Sequence, residues 1–187
     1  MNIEQSTISS LLNSATAELE ETNPDSPRLD AELLLSHVLE CPRLDLFLKG
    51  NQPLNGDQMV AYLEMLRQRS SGCPVSYLTG KKEFWSLTLE VSKDTLIPRP
   101  DTETLVESTV EQILKWQKTN KGKTCCIAEL GTGTAAIPLA LCAELKNLHI
   151  TSVDCSEQIL AIAARNIHSY KNLLAPRNNR LELVQSD

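Results

Sequence analysis

The chain has 187 residues, of which 41% are hydrophobic and 22% charged, and its formal net charge is −6. This length allows one ordinary domain, or one small and one truncated domain, and the composition is that of a globular protein. An acidic chain has no electrostatic reason to bind nucleic acid non-specifically, and no apolar run approaches the ~20 residues that span a bilayer. We therefore expect neither direct nucleic-acid binding nor a membrane segment.

The cysteines and histidines are not spaced like metal ligands. The six cysteines include no C-x-x-C pair, and the three histidines lie far apart in the sequence. The N-terminal residues lack the basic and apolar regions of a signal peptide. These features predict buried, reduced thiols, no metal site and a cytoplasmic location.

The N-terminal part of the chain has the apolar spacing of helices. Apolar residues recur at three- and four-residue intervals, and proline-containing segments at 23–27 and 41–42 separate the predicted helices. Four such helices predict a small bundle, and the Ser-Ser-Gly-Cys-Pro segment at 70–74 is the candidate linker. The fourth helix is expected to bury Met59, Leu63 and Leu66.

A short β-hairpin is predicted after this linker. Leu87, Leu89 and Val91 alternate with polar residues, which is typical of a half-buried strand. Phe84 and Trp85 are expected in the strand that precedes it.

An extended segment and a helix follow the hairpin. Prolines 98 and 100 keep residues 96–101 extended, because a residue before proline avoids the helical region. Asp101 is expected to cap the next helix with its side chain, and Glu103 to favour its first turn. That helix should bury four apolar residues: Val106, Val110, Ile113 and Leu114.

From Lys123 onward the pattern is strand, turn, helix, strand, helix, strand. This alternation predicts a parallel, doubly wound α/β sheet. The first turn has the sequence Glu-Leu-Gly-Thr-Gly-Thr-Ala at 129–135, and Asp154 ends the second predicted strand. A glycine turn between a strand and a helix forms a nucleotide-sized pocket at the end of such a sheet.

Three interpretations of this turn are possible from the residues alone. The spacing Gly-x-Gly-x-x-Ala, with Asp154 about 20 residues further on, satisfies the loose dinucleotide pattern of a nicotinamide-dependent oxidoreductase. It also fits the methyltransferase pattern Asp/Glu-x-Gly-x-Gly-x-Gly, with Ala135 in place of the last glycine. The third interpretation is a turn with glycine for geometry alone. Glu129 favours the second, because its carboxylate can pair with an ammonium group but repels a pyrophosphate.

The chain resembles the N5-glutamine methyltransferases of peptide chain release factors over essentially its whole length. Four segments carry the resemblance, and the most specific is the Pro-Arg-Pro-Asp-Thr-Glu run within the third of them. They are Pro-Val-Ser-Tyr-Leu-Thr-Gly at 74–80, Glu-Phe-Trp at 83–85, Thr-Leu-Ile-Pro-Arg-Pro-Asp-Thr-Glu at 95–103, and the glycine turn at 129–135.

The resemblance implies a cofactor, a substrate and a set of site residues. The cofactor is S-adenosylmethionine, with Asp154 on the ribose and Asp187 near the adenine. The substrate is the glutamine of a Gly-Gly-Gln motif in a release factor, so the implied process is protein methylation in translation termination. The turn residues that would hold the cofactor are Glu129, Gly131, Thr132, Gly133, Thr134 and Ala135.

The resemblance also implies the fold class, which is α/β. Residues 1–72 form a helical bundle that docks the substrate, 73–100 a linker and β-hairpin, and 101–187 the first half of a class I, Rossmann-like methyltransferase sheet. In that fold the first three strands lie in the order 3-2-1. Ala135 replaces the third glycine of the pattern, and its methyl group is tolerable there if φ is negative.

The family's Asn-Pro-Pro-Tyr motif, which holds the glutamine amide in line with the methyl group, does not occur in the sequence. We therefore expect no catalytic residue of this motif within the chain, a C-terminally incomplete α/β domain, and no activity of the chain alone. The alternative is a non-catalytic remnant that binds a release factor or the cofactor.

Overall fold

A computed structural model describes residues 7–22 and 25–186. The chain divides into two compact units, Met1–Thr79 and Gly80–Asp187. The first is helical and the second contains both sheets, and each is described by itself below.

The first unit consists of α1 (Ile8–Glu21), α2 (Pro27–Val38), α3 (Arg43–Leu48), α4 (Gly56–Ser70) and the short α5 (Val75–Thr79). Asn55 and Gln58 form a reciprocal capping box at the start of α4. The core contains Leu12, Leu19, Leu34, Leu35 and Tyr62. Leu63 was expected inside, but it is 46% exposed because Met59, Tyr62 and Leu66 supply the buried face of α4.

A buried acid joins two of these helices. The Glu32 side chain on α2 is 4% exposed and accepts hydrogen bonds from Arg28, at 2.7 Å, and from Arg43 at the start of α3, at 2.6 Å. Burial alone would raise the pKa of Glu32, but the two guanidinium groups outweigh it and hold the pKa below its usual value.

The second unit contains a parallel three-stranded sheet in the order β3-β4-β5. Its strands are β3 (Cys125–Leu130), β4 (Leu148–Asp154) and β5 (Arg180–Gln185). The predicted order is confirmed, and β3 pairs only with β4 among the residues that the structure describes. The crossovers contain α7 (Ala136–Glu144), α8 (Glu157–Ser169), α9 (Lys171–Leu174) and a 3-10 turn (Ala175–Arg177). Residues of α7, α8 and the strands share one core: Leu139, Ala140, Leu148, Ile150 and Ala163.

The hairpin consists of β1 (Lys81–Phe84) and the antiparallel β2 (Leu87–Glu90). Trp85 was expected in a strand, but it forms the two-residue turn with Ser86, and both have positive φ, 52° and 59°. The backbone of β2 bonds to side chains of the α8 region. The Tyr170 hydroxyl accepts from the amide N of Thr88 at 2.7 Å and donates to the Thr88 carbonyl at 3.0 Å.

Residues 96–99 form neither helix nor strand, but residues 100 and 101 form a turn and Asp101 has helical φ and ψ, so the expectation of an extended segment through 101 is wrong at its end. Helix α6 (Thr102–Thr119) follows them. Val106 and Ile113 are buried and Val110 is half-buried, but Leu114 is exposed, contrary to expectation. Asp101 makes no side-chain cap; instead, the amides of residues 102–104 donate to carbonyls three residues earlier. Glu103 reaches the hairpin, where its carboxylate accepts from the amide N of Trp85 at 3.0 Å.

All six cysteines are free, and only Cys142 is buried, so the expectation of generally buried thiols is wrong. Burial raises the pKa of the Cys142 thiol to about 12. No helix in residues 7–22 and 25–186 is long and apolar enough to cross a membrane.

Candidate functional site

The glycine turn follows the carboxyl end of β3, at the edge of the sheet where the parallel strand β4 also ends. Its backbone has positive φ at every second residue: 74° at Gly131, 58° at Gly133 and 61° at Ala135. The condition of a negative φ, under which the methyl group of Ala135 would be tolerated without strain, is therefore not met. Ala135 has the left-handed conformation immediately before α7 begins. Glycine adopts this conformation freely, and alanine does not.

The turn directs most of its amide groups into the protein. The amides of Gly131 and Thr132 both donate to the Val153 carbonyl, at 2.8 and 2.9 Å, and the amide of Ala135 donates to the Thr132 carbonyl. The amide of Gly133 donates to the Asp154 carboxylate at 3.1 Å. A phosphate-binding loop needs such amides directed at the ligand, so this turn does not present the usual cradle for a pyrophosphate.

Asp154 acts as a brace between the two turns that follow β3 and β4. It is buried, and its second oxygen accepts from the amide of Ser156 at 3.3 Å. The Ser156 hydroxyl in turn caps α8 by accepting from the amide of Ile159. One carboxylate therefore fixes both the glycine turn and the entry into α8.

Three oxygen atoms beside the turn have no hydrogen-bond partner although they are buried. They are Glu129 Oε2, Thr132 Oγ1 and Ser152 Oγ. Ser152 is the cross-strand partner of Glu129 in the register of β3 and β4. Buried polar atoms are normally bonded, so a group of unpaired ones at a strand end fits a polar ligand that is bound there.

The environment of Glu129 favours its neutral form. Burial raises the pKa of the Glu129 carboxyl, and the nearby charge of Asp154 raises it further. The Thr132 and Ser152 hydroxyls lie close enough to lower the pKa by hydrogen bonding, although neither meets strict hydrogen-bond geometry. A positively charged ligand group at this position would favour the ionised form.

The structure brings most of the predicted site residues together. The turn segment itself contains Glu129, Gly131, Thr132 and Gly133, and Asp154 is bonded to it through the amide of Gly133. Thr134 and Ala135 are almost fully buried, at 2% and 0% exposure, so their side chains pack into the protein interior. The predicted adenine contact, Asp187, lies outside the described residues.

Two residues of the site were not predicted. Ser152 adds an unpaired hydroxyl next to Glu129. Asn166, in the middle of α8, donates to the Thr134 carbonyl of the turn at 2.9 Å. A signal was present for Asn166, because it lies on the apolar face of α8 together with Ile162 and Ala163.

The sequence is similar to proteins named release factor glutamine methyltransferase. A family model described as the PrmC N-terminal domain matches residues 10–80. The relative from Salmonella typhimurium is 43% identical over 91% of this chain and 57% of its own length. The relative from Rhodopirellula baltica is 35% identical over 97% of this chain and 59% of its own length. That from Vibrio cholerae is 40% identical over 86% of this chain and 54% of its own length.

Among solved structures, the N-terminal domain of human METTL16 in complex with SAH is 19% identical over 75% of this chain and 48% of that chain, with a TM-score of 0.41. That likeness is too weak to bear on the fold or the ligand. The sequence matches are different in kind, because they extend across both units of the chain at 35–43% identity. The chain is thus similar to the release factor glutamine methyltransferases along most of its own length, and it spans somewhat more than half of theirs.

Proposed function

We propose that this chain supplies the cofactor site and the helical docking unit of an enzyme that methylates release factors. The reaction would transfer a methyl group from S-adenosylmethionine to N5 of the glutamine in a Gly-Gly-Gln motif, in the cytoplasm. The names of the relatives support the substrate, and the glycine turn supports the cofactor.

The observation that carries the proposal is the unpaired, buried oxygen of Glu129. The carboxyl lies at the end of β3 with the Thr132 and Ser152 hydroxyls beside it, also unpaired. These acceptors fit the ammonium group of S-adenosylmethionine, while Asp154 lies at the strand end where a ribose is bound. The amides of Gly131, Thr132 and Gly133 are already bonded within the protein, which favours this cofactor over a dinucleotide.

The residues around the turn would contribute to the reaction mainly by holding the cofactor in position. The cofactor, when bound, supplies a methyl sulfonium that is already a strong electrophile. Glu129 would hold the ammonium group, and Asp154 would keep the turn and the start of α8 in place. Positioning of the methyl group toward an amide nitrogen, which is a poor nucleophile, would supply most of the rate.

The helical unit would contact the release factor. Its short helix α3 exposes three large apolar side chains, Leu44, Phe47 and Leu48, at 68%, 59% and 77%. Phe47 and Leu48 lie three and four residues after Leu44, so all three are on one side of the helix. An exposed apolar cluster of this kind is typical of a surface that another protein covers.

Calorimetric titration of the chain tests the cofactor assignment. We expect S-adenosylhomocysteine to bind and NAD not to bind at the same concentrations. Binding of NAD alone would overturn the proposal in favour of an oxidoreductase. Because we expect no transfer by these 187 residues alone, incubation with labelled S-adenosylmethionine and a release factor tests the substrate in a longer protein that joins this chain to the Asn-Pro-Pro-Tyr motif. A factor whose Gly-Gly-Gln glutamine is replaced by alanine is the control.

A further inference from the structure

We propose that Asn166 is a positioning residue that couples the glycine turn to the β1–β2 hairpin, so that a ligand bound at the turn also steadies β2. This inference rests on the proposed function for its ligand. It concerns a residue of α8 that lies outside the turn itself.

The side-chain amide of Asn166 has no unused donor. The residue is 2% exposed, and Nδ2 donates to the Thr134 carbonyl at 2.9 Å and to the Glu90 carbonyl at 3.0 Å. Oδ1 accepts from the amide N of Glu90 at 2.7 Å. Toward Glu90 the side chain therefore forms the pair of bonds that a neighbouring strand would form, while its other N–H holds the turn.

The planarity of the amide group links these bonds mechanically. Thr134 lies between Gly133 and Ala135, two residues with positive φ, so the direction of its carbonyl depends on the conformation of the turn. A ligand that reduces the motion of the turn reduces the motion of this carbonyl and, through the same planar group, that of Glu90. Coupling by reduced motion needs no change of shape, and amide hydrogen exchange detects it.

Tyr170 provides a matched control. Its hydroxyl holds both backbone groups of Thr88, two residues before Glu90 in β2. Among the residues that the structure describes, its hydroxyl bonds to Thr88 and not to the turn, so its removal should loosen the hairpin without breaking the link to the ligand site.

The test is amide hydrogen exchange by NMR, with and without S-adenosylhomocysteine, on the wild-type chain, Asn166→Asp and Tyr170→Phe. In the wild type we expect the ligand to slow exchange of the Glu90 amide by about tenfold, the scale of one ordinary hydrogen bond. Asn166→Asp keeps the acceptor for Glu90 and loses both donors. Exchange at Glu90 should then no longer respond to the ligand, and the Kd should rise by about tenfold. Tyr170→Phe should speed exchange at Thr88 but keep the ligand response at Glu90.

The wild-type measurement is decisive even if Asn166→Asp does not fold. If the ligand binds and the exchange rate of the Glu90 amide does not change, the coupling is overturned and the proposed function stands. A ligand response that persists in Asn166→Asp would also overturn the coupling. Failure of the wild type to bind S-adenosylhomocysteine would overturn the proposed function, and the inference with it.

Discussion

Ala135 is an alanine in a conformation that suits glycine. Its φ of 61° places it in the left-handed region, at the third position of a turn whose first two such positions are Gly131 and Gly133. The same residue is fully buried and belongs to the core that also contains Leu139 and Ala140. Two effects therefore oppose each other, backbone strain against burial of a methyl group.

Replacing Ala135 by glycine should stabilise the chain. Relief of the left-handed conformation gains ~1–2 kcal/mol, and loss of one buried methyl group costs ~0.8 kcal/mol. We expect a net gain of about 0.2–1.2 kcal/mol in the free energy of unfolding, measured by denaturant titration. Ala136→Gly, at the first position of α7, is the control and should destabilise by about 1 kcal/mol. Equal destabilisation by both changes would show that the strain is absent.

The acidic residues at the site should differ in their effect on cofactor affinity. Glu129→Ala and Asp154→Ala should each weaken binding of S-adenosylmethionine by roughly 10- to 100-fold, since a bond to a charged group contributes ~1.5–3 kcal/mol. Glu103→Ala should weaken it less, because Glu103 bonds to the hairpin amide of Trp85. Calorimetric titration ranks the three variants, and equal affinities would contradict the assignment of the pocket.

Asp154 needs a second variant because it also braces the fold. Asp154→Asn keeps an acceptor for one of the two backbone amides, so it separates loss of charge from loss of the brace. We expect Asp154→Ala to lower the melting temperature and Asp154→Asn to lower it less.

The residues of the turn were predictable, whereas their supports were not. Spacing alone identifies Glu129, the two glycines and Asp154, because a strand that ends in a glycine turn has few alternatives. The sign of φ at Ala135 depends on where α7 starts, which local sequence does not define. Asn166 was missed because one polar residue in a helix usually faces solvent, and only its place on an apolar face indicated otherwise.

At the scale of elements, the contact between α2 and α3 depends on charge. Glu32 is buried while Arg28 and Arg43 remain 42% and 45% exposed. The half-exposed arginines retain water, so the cluster contributes less than a fully buried ion pair.

The stability of the helical unit should fall at acid pH because of Glu32. Its folded-state pKa lies below the usual value of 4.5, so its contribution is present above pH 4.5 and is lost as the pH falls through the folded-state pKa. We expect Glu32→Gln to lower the free energy of unfolding by about 1–2 kcal/mol at pH 7. The difference in this free energy between pH 7 and pH 3 should be smaller in the variant than in the wild type. Circular dichroism during denaturation measures both. Glu64→Gln removes an exposed pair with Arg67 and should change little.

Element boundaries were predicted less well than element types. Every predicted helix and strand exists, but Trp85 belongs to a turn, and Leu63 and Leu114 are exposed. Apolar spacing identifies a helix with an apolar side, but the width of that side depends on how its partners pack. The turn at Trp85 forms without glycine or asparagine, so no local signal marked it.

At the scale of the whole molecule, the chain consists of two units, each with its own core. Limited proteolysis with a non-specific protease should cut first at residues 70–74 or 118–123, where exposed polar residues lie between helices and strands. Mass spectrometry of the early fragments identifies the sites. First cuts within residues 33–38, inside α2, would contradict a separate helical core.

The bonds from the α8 region to the hairpin also have a consequence during synthesis. Asn166 follows Glu90 by 76 residues, and Tyr170 follows Thr88 by 82 residues. At a translation rate of about 5–20 residues per second, β2 waits roughly 4–16 s before these partners have been synthesised. During that interval its outer edge has unpaired N–H and C=O groups that a chaperone or another nascent chain can bind. The hairpin strands are thus synthesised several seconds before the side chains that bond to β2.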